Sequence, residues 1–431
     1  MAENLQPTTL VILGVTGDLS QRYLLPALAE ICQSSDIRGH LKILGISRHQ
    51  ITAQEILKNH AQSLAGQFTT YQMDYSQPAE YQKLKDFLEN QDTQQIIFYF
   101  AVPPDAVLPI VDNLGKAQMN TSRYKLLMEK PFGTDLASAK KLIKEINKFF
   151  KEEQVYRIDH YLAKEMAQNI AVFLGSNALF RDVWNNHFIE KIQIVAKERL
   201  GVEGRGNFYE QTGALRDILQ SHLLQLAALT LMEPCPDVFD FSQVQPRRLA
   251  ALNQLSADVD SVVRGQYTGH KEEVNSPDSN TETFISLRLK SSSPIWQGVP
   301  IQLASGKKLD QKLTEIRVYF KKTQAAQANL LRLRVQPNEG IELALWVKKP
   351  GFEQDLQMLP LDFNYQQYFD KLPDAYEQVI VDAVRSRMNL FASSDEVLAS
   401  WAILQPVLDT WGDKELKIYK PGSTLKEVLN S

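Results

Sequence analysis

Between Leu10 and about residue 150, short β-branched or apolar runs take turns with helical stretches, and this alternation constrains the fold more than any other feature. TLVILG precedes LLPALAEIC, LKILGIS precedes ITAQEILKNHAQSL, IIFYFAV follows, and YKLLME precedes DLASAKKLIKEINKFF. Strands separated by helices pair in parallel, because a parallel neighbour is reached only through a crossover long enough to hold a helix. The first half therefore reads as α/β.

The second half changes period. Ile285, Leu287 and Leu289 interleave with Ser286, Arg288 and Lys290; Leu331, Leu333 and Val335 interleave with Arg332 and Arg334. Ile341, Leu343, Leu345 and Val347 likewise alternate with Glu342, Ala344, Trp346 and Lys348. Period two over several segments predicts a large, mostly antiparallel sheet. A long apolar helical stretch, Gly213 to Met232, lies between the halves, and two more follow around Tyr376 to Arg385 and Ser394 to Leu408. The expected plan is α/β plus α+β, divided near residue 158 into residues 1–158 and 159–431. A chain of 431 residues readily fills two such domains.

The net charge of −4, with no basic tract, excludes a nucleic-acid backbone as the default partner, so any anion site must be built locally. Cys32 and Cys235 stand 203 positions apart, which fits a reducing compartment, the cytoplasm by default, better than a disulfide framework. MAENLQPTTL lacks the features of a signal peptide. The longest apolar run, Ile96 to Val102, stops at Pro103 and Pro104, far short of the roughly 20 residues that span a bilayer. No membrane association and no metal site are expected.

Gly14, Gly17 and Ser20 form a GxxGxxS spacing between the first strand and a helix opened by Asp18. Small residues there let the backbone approach a pyrophosphate, and the helix start offers amide donors. An ordinary tight turn would use the same glycines. The second strand ends in Ser47 and Arg48, where an NAD-specific fold places Asp or Glu on the ribose hydroxyls. A guanidinium can instead clamp a 2′-phosphate, which favours NADP; the bland alternative is a solvated loop charge. Together these residues read as a Rossmann-type dinucleotide-binding domain.

Two histidines stand out. His160 lies in RIDHYLAKE beside Asp159 and Tyr161, and a helical segment would put it on one face with Lys164, fit to cradle a phosphate. His222 lies in GALRDILQSHLLQ, an apolar helical stretch where a titratable ring needs a buried partner or a substrate. A satisfied core histidine is the competing account. Asp217 precedes it by five residues, about 140° round an ideal α-helix, so the pair would not form one stripe. Lys130 ends YKLLMEK at the carboxyl edge of the parallel sheet, where such folds bind ligands, although a surface lysine before Pro131 reads the same way. Lys307, Lys308 and Lys312 make a cationic cluster of a kind that is often only solvated surface.

The strings GVTGDL, MEKPFG, RIDHYLAKE, GALRDILQSHLLQ, VVRGQY, PDSNTETF, SGKKL, RVQPNEG, DAYEQVIVDA and SSDEVLASW occur in the order, and over nearly the whole length, that the glucose-6-phosphate dehydrogenase family has them. The chain resembles that family. The resemblance implies oxidation of glucose 6-phosphate at C1 by NADP, with NAD possible, as the first step of the oxidative pentose phosphate pathway. By motif, His222 would be the general base and Asp159 the carboxylate that orients it. His160, Tyr161, Lys164 and Lys312 would hold the sugar phosphate, Glu198 and Asp217 the sugar hydroxyls, and Lys307 the substrate. Lys130 would touch both sugar and cofactor, while Gly14, Thr16, Gly17, Asp18, Leu19 and Arg48 would hold the dinucleotide. A homodimer through the large sheet is also implied, with Trp346 as an apolar residue that wants cover.

Some positions depart from the family pattern. Tyr23 stands where a lysine is usual, Ala304 where an arginine is common, and Ala163 and Ser221 replace a glycine and an asparagine. Tyr23 and Ala304 bear on cofactor affinity. They keep one alternative open, a divergent paralogue that binds sugar phosphate or nucleotide with little turnover; the other is a different NAD(P)-dependent sugar dehydrogenase that shares the dinucleotide domain and the EKP turn.

Overall fold

The structure, a computed structural model, describes residues 5–58, 61–237, 240–323 and 327–430. Residues 1–4, part of the stretch read above for a signal peptide, lie outside the described residues.

The first sheet has seven strands: β1 (Thr8–Leu13), β2 (Leu41–Ser47), β3 (Phe68–Gln72), β4 (Gln95–Phe100), β5 (Tyr124–Met128), β6 (Val155–Ile158) and the two-residue β15 (Phe391–Ala392). Their order is β15-β6-β5-β4-β1-β2-β3, and β1 to β6 pair in parallel. Every residue of β1, β4 and β5 is buried, as strands covered on both faces must be. Strand order reverses between β1 and β4, and that reversal opens a crevice at their carboxyl ends.

The second sheet has nine strands: β7 (Ile189–Lys197), β8 (Leu255–Tyr267), β9 (Phe284–Ser291), β10 (Ile301–Gly306), β11 (Leu313–Phe320), β12 (Leu330–Gln336), β13 (Gly340–Lys348), β14 (Leu356–Asn364) and β16 (Leu416–Tyr419). The order is β14-β13-β12-β11-β7-β10-β9-β8-β16. All neighbours are antiparallel except β7 with β10 and β8 with β16. The expected alternation is plain in β12, where Leu331, Leu333 and Val335 are wholly buried between half-exposed neighbours.

The expected cut near 158 is simpler than the observed division. One compact unit comprises the chain up to Gly133, Ala137–Ala163 and Pro373–Ser394; the other comprises Thr134–Leu136, Lys164–Leu372 and the chain from Asp395 onward. Packing explains the return of Pro373–Ser394 to the first unit. Val379, Ile380, Ala383 and Phe391 are buried in the same core as Leu10, Ile12 and Leu28, and β15 extends the sheet antiparallel to β6. Ser394 is tied to the same unit by Glu152, which accepts its backbone N–H at 2.8 Å. Among the described residues, no helix is long and apolar enough to cross a membrane.

The stretch from Gly213 to Met232 is not one α-helix. Gly213 adopts φ 63°, a left-handed conformation that breaks the preceding helix Gly206–Ala214. A π-helix then runs from Leu215 to Leu223 and passes into the α-helix Leu224–Leu231.

Candidate functional site

In the first unit, the glycine turn leaves β1 at the strand-order reversal. Gly14 has φ 86°, and a Cβ there would overlap the Ala101 carbonyl oxygen beyond the end of β4. At Gly17 a Cβ would come within 3.2 Å of the Gly14 carbonyl oxygen. Gly17 N–H donates to that carbonyl at 3.0 Å, and Ser20 Oγ donates to it at the same distance. The chain turns helical from Asp18, so Thr16, Asp18 and Leu19 stand at the helix mouth, where Thr16 and Asp18 are exposed. Arg22 pairs with Asp18 at 2.7 Å and offsets the carboxylate at that mouth. A tightly folded turn with glycine at both close approaches, opening a helix at the switch point, fits a dinucleotide pyrophosphate.

Sequence reasoning missed the residue that holds this turn. The Tyr75 hydroxyl accepts the Gly14 N–H at 2.6 Å and donates to the Ile46 carbonyl at 3.1 Å, tying the turn to the end of β2. Burial raises this phenol to about 12, so it remains a neutral donor. Arg48 follows two residues after Ile46 and is exposed; its carbonyl accepts from Gln72 Nε2 at 3.2 Å. No local pattern could reveal Tyr75, because its partners lie 61 and 29 positions away.

Lys130 follows Glu129, whose Oε1 accepts from the Tyr99 hydroxyl at 2.5 Å. Desolvation raises the Glu129 carboxyl above the usual range, against the Tyr99 bond and the Lys130 charge that lower it. Tyr23 stacks on Tyr376 with ring centroids 5.4 Å apart. Asp159 is 3% exposed, and its Oδ1 accepts the Tyr161 N–H at 2.9 Å. That bond makes residues 159–163 a turn, with the His160 and Tyr161 rings 5.1 Å apart. The helical face expected to carry His160 and Lys164 together is therefore absent: Lys164 has extended backbone and caps the helix Glu165–Ser176 in the second unit.

In the second unit, the parallel pairing of β7 and β10 sends Glu198 and Lys307 out from the same sheet end. Their side chains form an ion pair, and Glu198 N–H donates to the Gly306 carbonyl at 2.9 Å. Lys307 is 3% exposed, and its ammonium stands 5.0 Å from the centre of the Tyr209 ring. Lys312 is exposed on the turn that leads from this pair into β11.

The π-helix packs over β7 and β10 and carries both Asp217 and His222. His222 is 1% exposed and Asp217 half-buried. The π-helical hydrogen bond joins residues five apart, so positions i and i+5 come closer together round the axis than they do in an α-helix. Asp217 and His222 therefore lie closer round the axis than the 140° expected from an α-helix. Ser221 Oγ donates back to the Asp217 carbonyl at 3.1 Å inside this widened turn. Among the described residues, no group of three or more His, Cys, Asp or Glu side chains is arranged to hold a metal.

Comparison with known proteins agrees with this geometry. Residues 11–169 match the family described as "Glucose-6-phosphate dehydrogenase, NAD binding domain", and residues 171–429 match "Glucose-6-phosphate dehydrogenase, C-terminal domain". The chain is 36% identical to the glucose-6-phosphate 1-dehydrogenase of Bacillus subtilis, covering 95% of this chain and 93% of that protein. It is 34% identical to the Chlamydia muridarum enzyme of the same name, over 94% and 90% of the two chains. A solved structure of glucose-6-phosphate dehydrogenase with its substrate glucose 6-phosphate superposes with a TM-score of 0.91 at 29% identity, covering 100% of this chain and 98% of that one. With both family domains matched end to end and relatives above 30% identity along nearly the full length, the chain belongs to the glucose-6-phosphate dehydrogenase family.

Proposed function

We propose that this chain oxidises D-glucose 6-phosphate at C1 to 6-phospho-D-glucono-1,5-lactone with hydride transfer to NADP, the entry step of the oxidative pentose phosphate pathway. The observation that carries the reading is the buried His222 on a π-helix, five residues from Asp217 and over the strand ends that present Glu198 and Lys307. A bound nicotinamide dinucleotide supplies the hydride acceptor.

The protein's own groups divide the remaining work. His222 takes the C1 hydroxyl proton, and Asp159 orients its ring and balances the imidazolium charge. His160, Tyr161, Lys164 and Lys312 bind the phosphate, Glu198 and Asp217 accept from sugar hydroxyls, and Lys307 neutralises Glu198 while facing the sugar. Lys130 contacts both the sugar and the cofactor. Gly14, Thr16, Gly17, Asp18 and Leu19 hold the pyrophosphate end. Arg48, exposed at the end of β2, selects the 2′-phosphate of NADP over the bare ribose of NAD.

The reading extends to assembly and compartment. Leu359 and Leu361 are 44% and 64% exposed on β14, on the face shared with Leu343 and Leu345 of β13. An apolar sheet face of this kind suits a second copy of the chain. Trp346 lies on the opposite face, and its Nε1 donates to the Gln327 carbonyl at 3.0 Å. Cys32 and Cys235 are both free and buried, in keeping with a cytoplasmic protein.

The test is NADPH formation with glucose 6-phosphate, followed at the reduced-nicotinamide band. His222→Asn is expected to lower kcat by roughly 10²–10⁴-fold while sugar phosphate still binds. A near-normal rate in that variant refutes the base assignment. Binding without turnover in the wild type would instead identify a divergent binding protein, and preference for a free sugar a different dehydrogenase.

A further inference from the structure

The helix Gly206–Ala214 carries Tyr209 into the interior of the second unit, where the residue is 3% exposed. Its hydroxyl is a buried polar atom that finds no hydrogen-bond partner among the described residues. Natural interiors seldom leave such a group unpaired, and one that persists calls for an explanation. The ring itself is well held: the Lys307 ammonium stands 5.0 Å from its centre, and the His270 ring meets it in a T-shaped contact with centroids 6.3 Å apart. His270 is fixed in turn by Glu210, 2.9 Å from its Nε2. The Tyr209 hydroxyl is thus a donor positioned by its ring and left without a task in the free protein.

Its surroundings indicate the task. Burial, followed by the negative charges of Asp217, Glu282 and Glu198, pushes the phenol well above its ordinary value, so it stays protonated. Asp217 and Glu198 are the carboxylates assigned above to the sugar hydroxyls, and this inference rests on that reading. Carboxylates only accept hydrogen bonds. A sugar hydroxyl that gives its proton to one of them keeps an oxygen whose lone pairs need a donor. Lys307 spends part of its donor capacity on Glu198, whereas the Tyr209 O–H is uncommitted.

We propose that Tyr209 is a further substrate-contacting, specificity-determining residue, whose hydroxyl donates to a sugar hydroxyl held by Asp217 or Glu198. It lets the site recognise that hydroxyl by both its hydrogen and its oxygen, and a sugar phosphate lacking the group leaves Tyr209 unpaired again. Sites built to pair a substrate hydroxyl discriminate most strongly against analogues without it.

Tyr209→Phe tests this, because phenylalanine keeps the ring, the Lys307 contact and the volume. The thermal midpoint of the free variant is expected to equal or exceed the wild-type value, since the deleted hydroxyl has no partner in the protein. KM for glucose 6-phosphate is expected to rise roughly 3- to 10-fold, the loss of one neutral hydrogen bond, with KM for NADP unchanged. Among the 2-, 3- and 4-deoxy analogues of the sugar phosphate, one should be used equally well by both proteins. An unchanged KM for glucose 6-phosphate overturns the assignment, as does a fall of several degrees in thermal midpoint, which would mark a structural hydroxyl. Wild-type enzyme is assayed alongside: if it forms no NADPH from glucose 6-phosphate, the functional reading fails and this inference falls with it. Normal wild-type activity with an unaffected variant refutes Tyr209 alone.

Discussion

Lys125 provides a quantitative test of how the first unit is held together. It lies on β5, is 9% exposed, and its ammonium is bonded to the Gln95 side-chain carbonyl and to Ser386 Oγ. Both partners are neutral, and the Tyr156 ring lies 5.5 Å away. Burial lowers its value from 10.5 to about 8, a gap worth about 3 kcal/mol between charged and neutral forms. The folded protein carries that full cost below about pH 8, where folded and unfolded chains are both protonated. Between about 8 and 10.5 the unfolded chain binds more protons than the folded one, so this residue makes stability rise with pH. Lys125→Met removes the charge but also loses hydrogen bonds worth about 1 kcal/mol, which leaves a net gain of about 1–2 kcal/mol at pH 7. Gln95 Oε1 still accepts from Ser386 Oγ at 3.1 Å, so it is not stranded by the change. Urea unfolding of both proteins at pH 7, 9 and 10.5 reads the difference directly. The advantage of the variant should shrink through pH 9 and vanish or reverse by pH 10.5. A variant less stable at pH 7, or a difference that does not change with pH, would refute the reasoning.

Two further outcomes are expected. Tyr75→Phe strands the Gly14 N–H at the glycine turn; cofactor KM should rise several-fold and stability fall by about 1–3 kcal/mol, while KM for the sugar phosphate, measured at saturating NADP, stays constant. Arg248 and Glu396 are 1% and 0% exposed and meet through two hydrogen bonds of 2.8 and 3.3 Å, so Glu396→Gln should cost about 3–5 kcal/mol in denaturant unfolding, whereas the double change Arg248→Met with Glu396→Leu should recover most of it.

Much of the fold was legible because it is written in local periods. The buried β1, β4 and β5 and the alternating β12 are continuous strings whose hydrophobic spacing alone reports a covered parallel or a one-sided antiparallel strand. The glycine turn was legible for the same reason: a strand, two small residues at fixed offsets and a helix start are neighbours in the chain. The return of Pro373–Ser394 to the first unit was not, since the helix Ala375–Val384 has an ordinary amphipathic pattern that fits either core. Tyr75 and Tyr209 were equally silent. A tyrosine's sequence context does not say whether its hydroxyl will be met by an amide from another strand or by nothing.

The sequence by itself determined the two sheet types, the position of the glycine turn after β1 and the family membership that its ordered motifs carry. Tertiary structure decided how the candidate catalytic residues are presented. Asp217 and His222 diverge on an α-helix and are brought toward one face because Leu215–Leu223 is wound as a π-helix. Nothing in the composition of LRDILQSHL demands that winding. Glu198 and Lys307, 109 positions apart, meet because β7 and β10 lie parallel and end together. Local propensity acts over a few residues, whereas the spacing of these side chains is set by strand pairing and helix winding, which the packed core selects.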